Sequence, residues 1–323
     1  MKKIALLATG GTIACTQTKN GLAPTLSASE LAPRLGVDLE LEVNAKDVFR
    51  LDSSNIQPEE WRALAREADA AIKSSDGVVI THGTDTMAYT AAALSFMLAG
   101  CEKPVILTGS QLPIDAPISD ARQNLTRALL AAASGVGGVY VVFDTSIISG
   151  VRAVKTHTTA LSAFSSVNAP CAGHIDSAGV SFDHPQRSSL PYALRARLNS
   201  LVLLIKLTPG LSPDIFSFVK SAGYRGVVLE TFGLGGLHYI RRNLVKCLSE
   251  LSAAGIIVLV VSQCLYEKAD LSVYEVGREM MRENVISGRD MTTEAAVCKM
   301  MWALESENPR ETLMRNIVGE FSE

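Results

Sequence analysis

Several signposts of function are missing from this chain of 323 residues. There is no C-x-x-C pair and no Cys–His spacing suited to zinc. The six cysteines, Cys15, Cys101, Cys171, Cys247, Cys264 and Cys298, are scattered, which reads as reduced thiols in a cytoplasmic protein. Cys264 is expected to be a small buried hydrophobe rather than a reactive thiol. Basic residues are not in excess: 30 Lys and Arg face 33 Asp and Glu, a net charge of −3, which leaves no nucleic-acid footprint and no membrane-adsorbing face. No stretch approaches the roughly 20 apolar residues that span a bilayer. The basic start Met1-Lys2-Lys3 leads into an apolar run only a strand long, unlike a secretory signal. Nucleotide fingerprints of the G-K-[ST] or G-x-G-x-x-G kind are absent, as are short repeats and low-complexity segments. Small-molecule chemistry is what these absences leave.

What is present is a long, apolar, regularly alternating chain. The length exceeds the roughly 250–300 residues at which one core stops growing, so two domains are expected. Apolar runs at 4–8, 78–80, 105–107 and 139–143 read as strands, with helices at 61–72, 86–98 and 121–133, the βα alternation of a mostly parallel sheet. Each strand ends in a small or polar loop: Thr9-Gly10-Gly11-Thr12, Thr81-His82-Gly83-Thr84-Asp85, Thr108-Gly109-Ser110 and Asp144-Thr145-Ser146. In parallel strands these loops gather on one edge. Residues 183–191, with Pro185, Pro191 and a polar cluster, read as an interdomain linker. A second βα array follows, with strands at 201–207, 226–230 and 256–261 and helices at 213–221, 244–253, 273–282 and 292–304. The expected domains are 1–182 and 201–323, joined by 183–200.

Four loops carry chemistry. In Ala8-Thr9-Gly10-Gly11-Thr12-Ile13-Ala14, paired glycines allow positive φ and close approach to a ligand, and the loop stands at a strand's carboxyl end, where ligands of open α/β sheets sit. Thr12 is therefore presented as a nucleophile. Thr81-His82-Gly83-Thr84-Asp85-Thr86 precedes an alanine-rich helix, and its N–H groups suit an anion or a developing oxyanion. Asp85 also fits a simple helix N-cap, and His82 in a glycine-rich turn reads as structural. Lys155 alone is a solvated loop charge; beside Thr84 and Asp85 it completes a relay in which a neutral lysine takes a proton and Asp85 orients it. Leu51-Asp52-Ser53-Ser54-Asn55 is either a capping loop or a holder of a substrate carboxylate.

Together these motifs resemble the bacterial-type L-asparaginase family, nearly end to end and in the same order. Asp52-Ser53-Ser54 and Thr84-Asp85-Thr86-Met87-Ala88-Tyr89-Thr90 are more similar to the cytoplasmic type I branch, archaeal members included, than to periplasmic type II enzymes. The resemblance implies that Thr12 attacks the side-chain amide of asparagine, that ammonia leaves a β-aspartyl enzyme, and that water releases aspartate. It implies proton transfer by Thr84, Asp85 and Lys155, with Asp85 also meeting the substrate α-ammonium. It implies that Ser53 receives the α-carboxylate within the Asp52-Ser53-Ser54 loop, and that backbone N–H groups near Gly11 and Gly83 serve as oxyanion donors. No metal or organic cofactor is implied. The expected assembly is a homodimer or a dimer of dimers, in which a neighbour's Tyr274 and Glu275 close each site. The expected fold is α/β: a larger N-terminal domain with a mostly parallel, mixed sheet, and a smaller flavodoxin-like parallel C-terminal domain.

Two departures stand out. Family members carry a tyrosine in the mobile loop after the TGGTIA motif; residues 15–25 contain none, and Leu22 takes its place. A leucine closes a lid but relays no proton. Cooperative type I enzymes also hold an effector with an arginine, a threonine and a cysteine; here the matching residues are Glu230, Val154 and Cys264, which leads to an expectation of hyperbolic kinetics. The alternatives are a relative preferring L-glutamine or D-asparagine, the asparaginase-like component of a tRNA-dependent amidotransferase, which carries an additional N-terminal domain for which Thr9 leaves no room, and a non-catalytic amino-acid sensor.

Overall fold

The computed structural model describes residues 1–19, 21–35, 39–283 and 285–322. The chain divides into two compact units, Met1–Ala196 and Arg197–Glu323. The first holds β1 (Lys2–Gly10), β2 (Cys15–Thr18), β3 (Gly21–Pro24), α1 (Ala28–Leu31), β4 (Leu41–Leu51), α2 (Pro58–Ser74), β5 (Gly77–Thr81), α3 (Met87–Met97), β6 (Pro104–Thr108), α4 (Ala121–Ala132), β7 (Gly138–Phe143), β8 (Ser146–Ser149), β9 (Ala153–Lys155), β10 (Phe164–Ser166), β11 (Gly173–Asp176) and β12 (Gly179–Phe182). The second holds β13 (Val202–Lys206), α5 (Asp214–Ser221), β14 (Gly226–Thr231), α6 (Leu244–Ala253), β15 (Ile257–Ser262), α7 (Glu275–Arg282), β16 (Ile286–Ser287), α8 (Thr293–Ala303) and α9 (Pro309–Met314).

The large sheet runs β12-β11-β8-β7-β6-β5-β1-β4. Strands β4, β1, β5, β6 and β7 are mutually parallel, and β8, β11 and β12 add antiparallel pairs at one side. It is therefore a mixed sheet around a parallel centre. The central strands β5 and β6 are buried along their whole length, as strands covered on both faces must be. Helix α2 starts at Pro58 with a reciprocal Gln57–Glu60 capping box. Helix α3 is apolar nearly all round and buried accordingly. Ile4, Leu6, Val79, Ile106, Leu129 and Tyr140 meet in the core on one side of the sheet.

Parallel pairing brings the ends of β1, β5 and β6 to one edge, as their loops require. The loop after β7 is different: at Asp144, which takes φ +51°, the chain turns back into antiparallel β8. The second unit carries a wholly parallel sheet ordered β13-β14-β15-β16, packed around Val227, Leu229, Val258 and Val260.

The proline-containing segment is packed rather than free. Gln186 donates its backbone N–H to the Tyr140 hydroxyl (2.9 Å) and accepts from Val139 N (2.9 Å). Tyr192 donates to Asp69 (2.6 Å), and Arg195 N–H to Met97 O (2.9 Å). Prolines deny this stretch a helix or strand, and its polar groups are satisfied by the first unit instead.

Candidate active site

The Gly10-Gly11 turn is built by contact with the end of β4. Gly10 and Gly11 take φ +106° and +78°, and Gly11 N–H donates to Leu51 O at 3.0 Å. A Cβ on Gly11 would lie 2.3 Å from Gly83 N, and one on Gly83 would lie 2.5 Å from Ser53 Oγ. Three loops distant in sequence thus touch through two positions where no side chain fits. Thr12 opens a short 3-10 turn directly after Gly11 and is half-buried. Thr84, directly after Gly83, is buried.

Lys155 ends β9, which pairs with β10 in a hairpin. Its Nζ donates to Thr84 Oγ1 at 2.8 Å and to Asp85 Oδ1 at 2.6 Å. The lysine side chain is 17% exposed, that of Asp85 66%. The N-cap of α3 is Thr86, not Asp85; Asp85 stands one residue earlier, which leaves its carboxylate for Lys155. Thr86 Oγ1 donates to Ser53 O at 2.7 Å, a further tie between the second and fourth loops.

Within the fourth loop the residues divide. Ser53 is buried against Gly83. The Asp52 carboxylate caps its own turn, accepting the backbone N–H of Ser54 at 2.9 Å and its hydroxyl. These bonds hold Asp52 below the usual carboxylate range, the serine hydroxyl first and the amide second. For Asp52 and Ser54 the capping reading is the one the geometry displays, whereas Ser53 alone faces the glycine pair.

His82 is buried at 0% exposure. Its Nδ1 lies 2.7 Å from Gly83 O, and its Nε2 lies 2.9 Å from Thr90 Oγ1, which accepts the Trp61 indole N–H at 2.9 Å. A carbonyl only accepts, so Nδ1 carries the proton, and Thr90 donates to Nε2. Burial pushes the imidazole down to about 4, opposed by the Gly83 bond. His82 is a neutral strut behind the Gly83 turn.

Sequence reasoning passed over Gln111, which follows the loop after β6. Thr84 Oγ1 donates to Gln111 Oε1 at 3.3 Å. Its position at a strand's carboxyl end, directly after Thr108-Gly109-Ser110, was the available signal. Tyr274 and Glu275 lie in the second unit, where Tyr274 is the N-cap of α7 and both are exposed. Glu230, at the end of β14, accepts the Thr293 hydroxyl and pairs with Lys206 at 3.4 Å. Burial, with the Glu230 charge adding, raises the Glu294 carboxyl. Val154 is buried on β9. Cys264 is exposed, contrary to the expected buried hydrophobe, because it falls in the loop beyond β15 rather than in the strand. Leu22 lies on β3 and is 56% exposed; Asn20 is outside the described residues. No helix among the described residues is long and apolar enough to cross a membrane.

Residues 3–188 match the family described as Asparaginase, N-terminal, and residues 201–316 the Glutaminase/Asparaginase C-terminal domain. The chain is 42% identical to an L-asparaginase of Thermococcus kodakarensis, covering 99% of both chains. It is 38% identical to a glutamyl-tRNA(Gln) amidotransferase component of Archaeoglobus fulgidus, covering 98% of this chain and 79% of that one. Among solved structures, the thermostable L-asparaginase from T. kodakarensis superposes with a TM-score of 0.93 at 41% identity, over 99% of each chain. L-asparaginase I from Vibrio cholerae superposes with a TM-score of 0.87 at 30% identity, over 100% of this chain and 99% of that one.

Proposed function

The chain belongs to the asparaginase family through both of its units, and from that premise we propose that it hydrolyses the side-chain amide of free L-asparagine, with Thr12 as nucleophile. The observation that carries the reading is the contact of Gly11 on Gly83, which sets Thr12 and Thr84 on touching turns while Lys155 bridges Thr84 and Asp85. The Thr12 hydroxyl adds to the amide carbon and its proton passes toward Thr84 and Lys155. Backbone N–H groups at the two glycine turns receive the oxyanion, an effect worth about 3–4 kcal/mol per donor. The proton returns to the leaving nitrogen, ammonia departs, and a β-aspartyl ester remains. Water, deprotonated by the same relay, attacks the ester and releases aspartate.

Asp85 Oδ2 has no hydrogen bond among the described residues and is free to receive the substrate α-ammonium, while Ser53 receives the α-carboxylate. Two copies of the chain, each lending Tyr274 and Glu275 to the other, complete the sites. Glu230 in place of an arginine repels a carboxylate effector, so asparagine dependence is hyperbolic.

The test is ammonia release by the purified protein from L-asparagine, L-glutamine and D-asparagine, beside Thr12→Ala. L-asparagine is expected to be the best substrate, and Thr12→Ala to lose at least about a thousandfold in kcat. Activity that survives in Thr12→Ala removes the nucleophile assignment. No hydrolysis of any amide favours an amino-acid sensor, and release only in the presence of a second protein favours the amidotransferase role named for several relatives.

A further inference from the structure

Gln111 occupies a place in the hydrogen-bond pattern that admits only one arrangement. Its side-chain Nε2 donates to Thr158 O at 3.0 Å and Ala160 O at 3.1 Å. Those carbonyls only accept, so they decide which end of the amide is which: nitrogen toward 158–160, oxygen toward Thr84. Oε1 likewise only accepts. Thr84 must therefore donate its hydroxyl proton to Gln111 while its lone pair receives Lys155 Nζ. The main chain beneath is equally constrained. Gln111 N–H donates to Asp120 Oδ2 (3.0 Å), Leu112 N–H to Asp120 Oδ1 (3.1 Å), and Asn124 Nδ2 to both Asp120 Oδ2 (3.1 Å) and Gly109 O (3.0 Å).

We infer that Gln111 is a positioning residue of the relay: it accepts the Thr84 proton whenever Lys155 is an ammonium, and so favours the state in which the transferred proton rests on the lysine. The inference rests on the hydrolase reading above. When Lys155 is neutral, Thr84 turns its O–H to the lysine and its lone pair to the incoming proton. Once that proton has moved on to Nζ, the hydroxyl turns back to Gln111. No covalent bond to Gln111 is made or broken; it is a fixed acceptor for one of two hydroxyl orientations. The same side chain ties the turn between β9 and β10, which follows directly on Lys155, to the loop after β6.

The experiment is kcat and KM for L-asparagine as a function of pH, in wild type, Gln111→Met and Gln111→Glu, with thermal melting of each. Activity requires a lysine able to take a proton, so kcat rises with pH along an acid limb. Gln111→Met removes the acceptor for the ammonium state, so that limb moves to lower pH, with kcat down about tenfold and KM within about twofold. Gln111→Glu places a carboxylate beside the relay and moves the limb up by about one pH unit. The downward displacement in Gln111→Met is the signature, since a residue that only fills space produces none, and the added charge of Gln111→Glu checks that the limb reports the lysine. Should Gln111→Met not fold, Gln111→Leu, which also lacks the acceptor, decides in its place. Unmoved limbs in folded, active variants overturn the role of Gln111, whereas a wild type that releases no ammonia overturns the hydrolase reading instead.

Discussion

Gly11 and Gly83 leave no room for a side chain between the loops they join. A methyl group on Gly11 would meet Gly83 N at 2.3 Å, and its φ of +78° is one that side-chain-bearing residues avoid. Gly11→Ala is expected to lower kcat by at least about a hundredfold and to cost about 1–3 kcal/mol of stability, read from ammonia release and thermal melting. A wild-type kcat would remove the glycine contact from the account. His82 predicts a pH effect. Its imidazole titrates at about 4 in the fold and near 6.5 when unfolded. The unfolded chain therefore binds more protons between these values, and stability is full above about pH 6.5 and falls as pH drops toward 4, by about 3 kcal/mol in all. Denaturant titrations at several pH values measure this, and His82→Gln is expected to flatten that part of the profile; an unchanged profile contradicts the neutral strut. The candidates Thr12 and Thr84 stood out in the sequence because a glycine directly precedes each hydroxyl at a strand end, and Ser53 by its place in the Asp52-Ser53-Ser54 loop. Asp85 was ambiguous between cap and relay, since the choice depends on Lys155, 70 residues away. Gln111 offered only its place directly after Thr108-Gly109-Ser110, because its bonds to Thr158 O and Ala160 O are encoded by no local sequence.

At the scale of elements, the strands and helices carrying continuous apolar runs were readable from sequence, and β4 was not. It is an edge strand, paired only with β1 among the described residues and exposed along its middle, so its sequence shows neither a run nor a clean alternation. Yet β4 delivers Leu51 beside Gly10 and so sets Asp52-Ser53-Ser54 against the other loops. The hairpin β2–β3 escaped for a similar reason: apart from buried Cys15 its residues are half-buried or exposed, and among the described residues it pairs only with itself. Leu22 faces solvent there, with no proton to relay. Leu22→Tyr is expected to raise kcat for L-asparagine by several-fold, on the order of a typical partial acid–base contribution, measured under saturating substrate. An unchanged or lower kcat would show that position 22 is not where the missing activator belongs.

For the whole molecule, two α/β units followed from length and from the break in alternation near residue 183. The division itself falls after Ala196, because the polar and aromatic groups of the intervening segment bond to the first unit. All four chemistry-bearing loops lie in that unit: three follow β1, β4 and β5 in the parallel centre of the large sheet, Lys155 stands on the separate β9–β10 hairpin, and only long-range contact brings them together. The central claim is that Thr12 becomes acylated. Acid quenching of wild-type protein during turnover of L-asparagine, followed by peptide mapping by mass spectrometry, tests it most directly. An aspartyl adduct is expected on the peptide containing Thr12, absent from Thr12→Ala; steady turnover with an adduct on Thr84, or with the adduct retained in Thr12→Ala, would rule out acylation of Thr12.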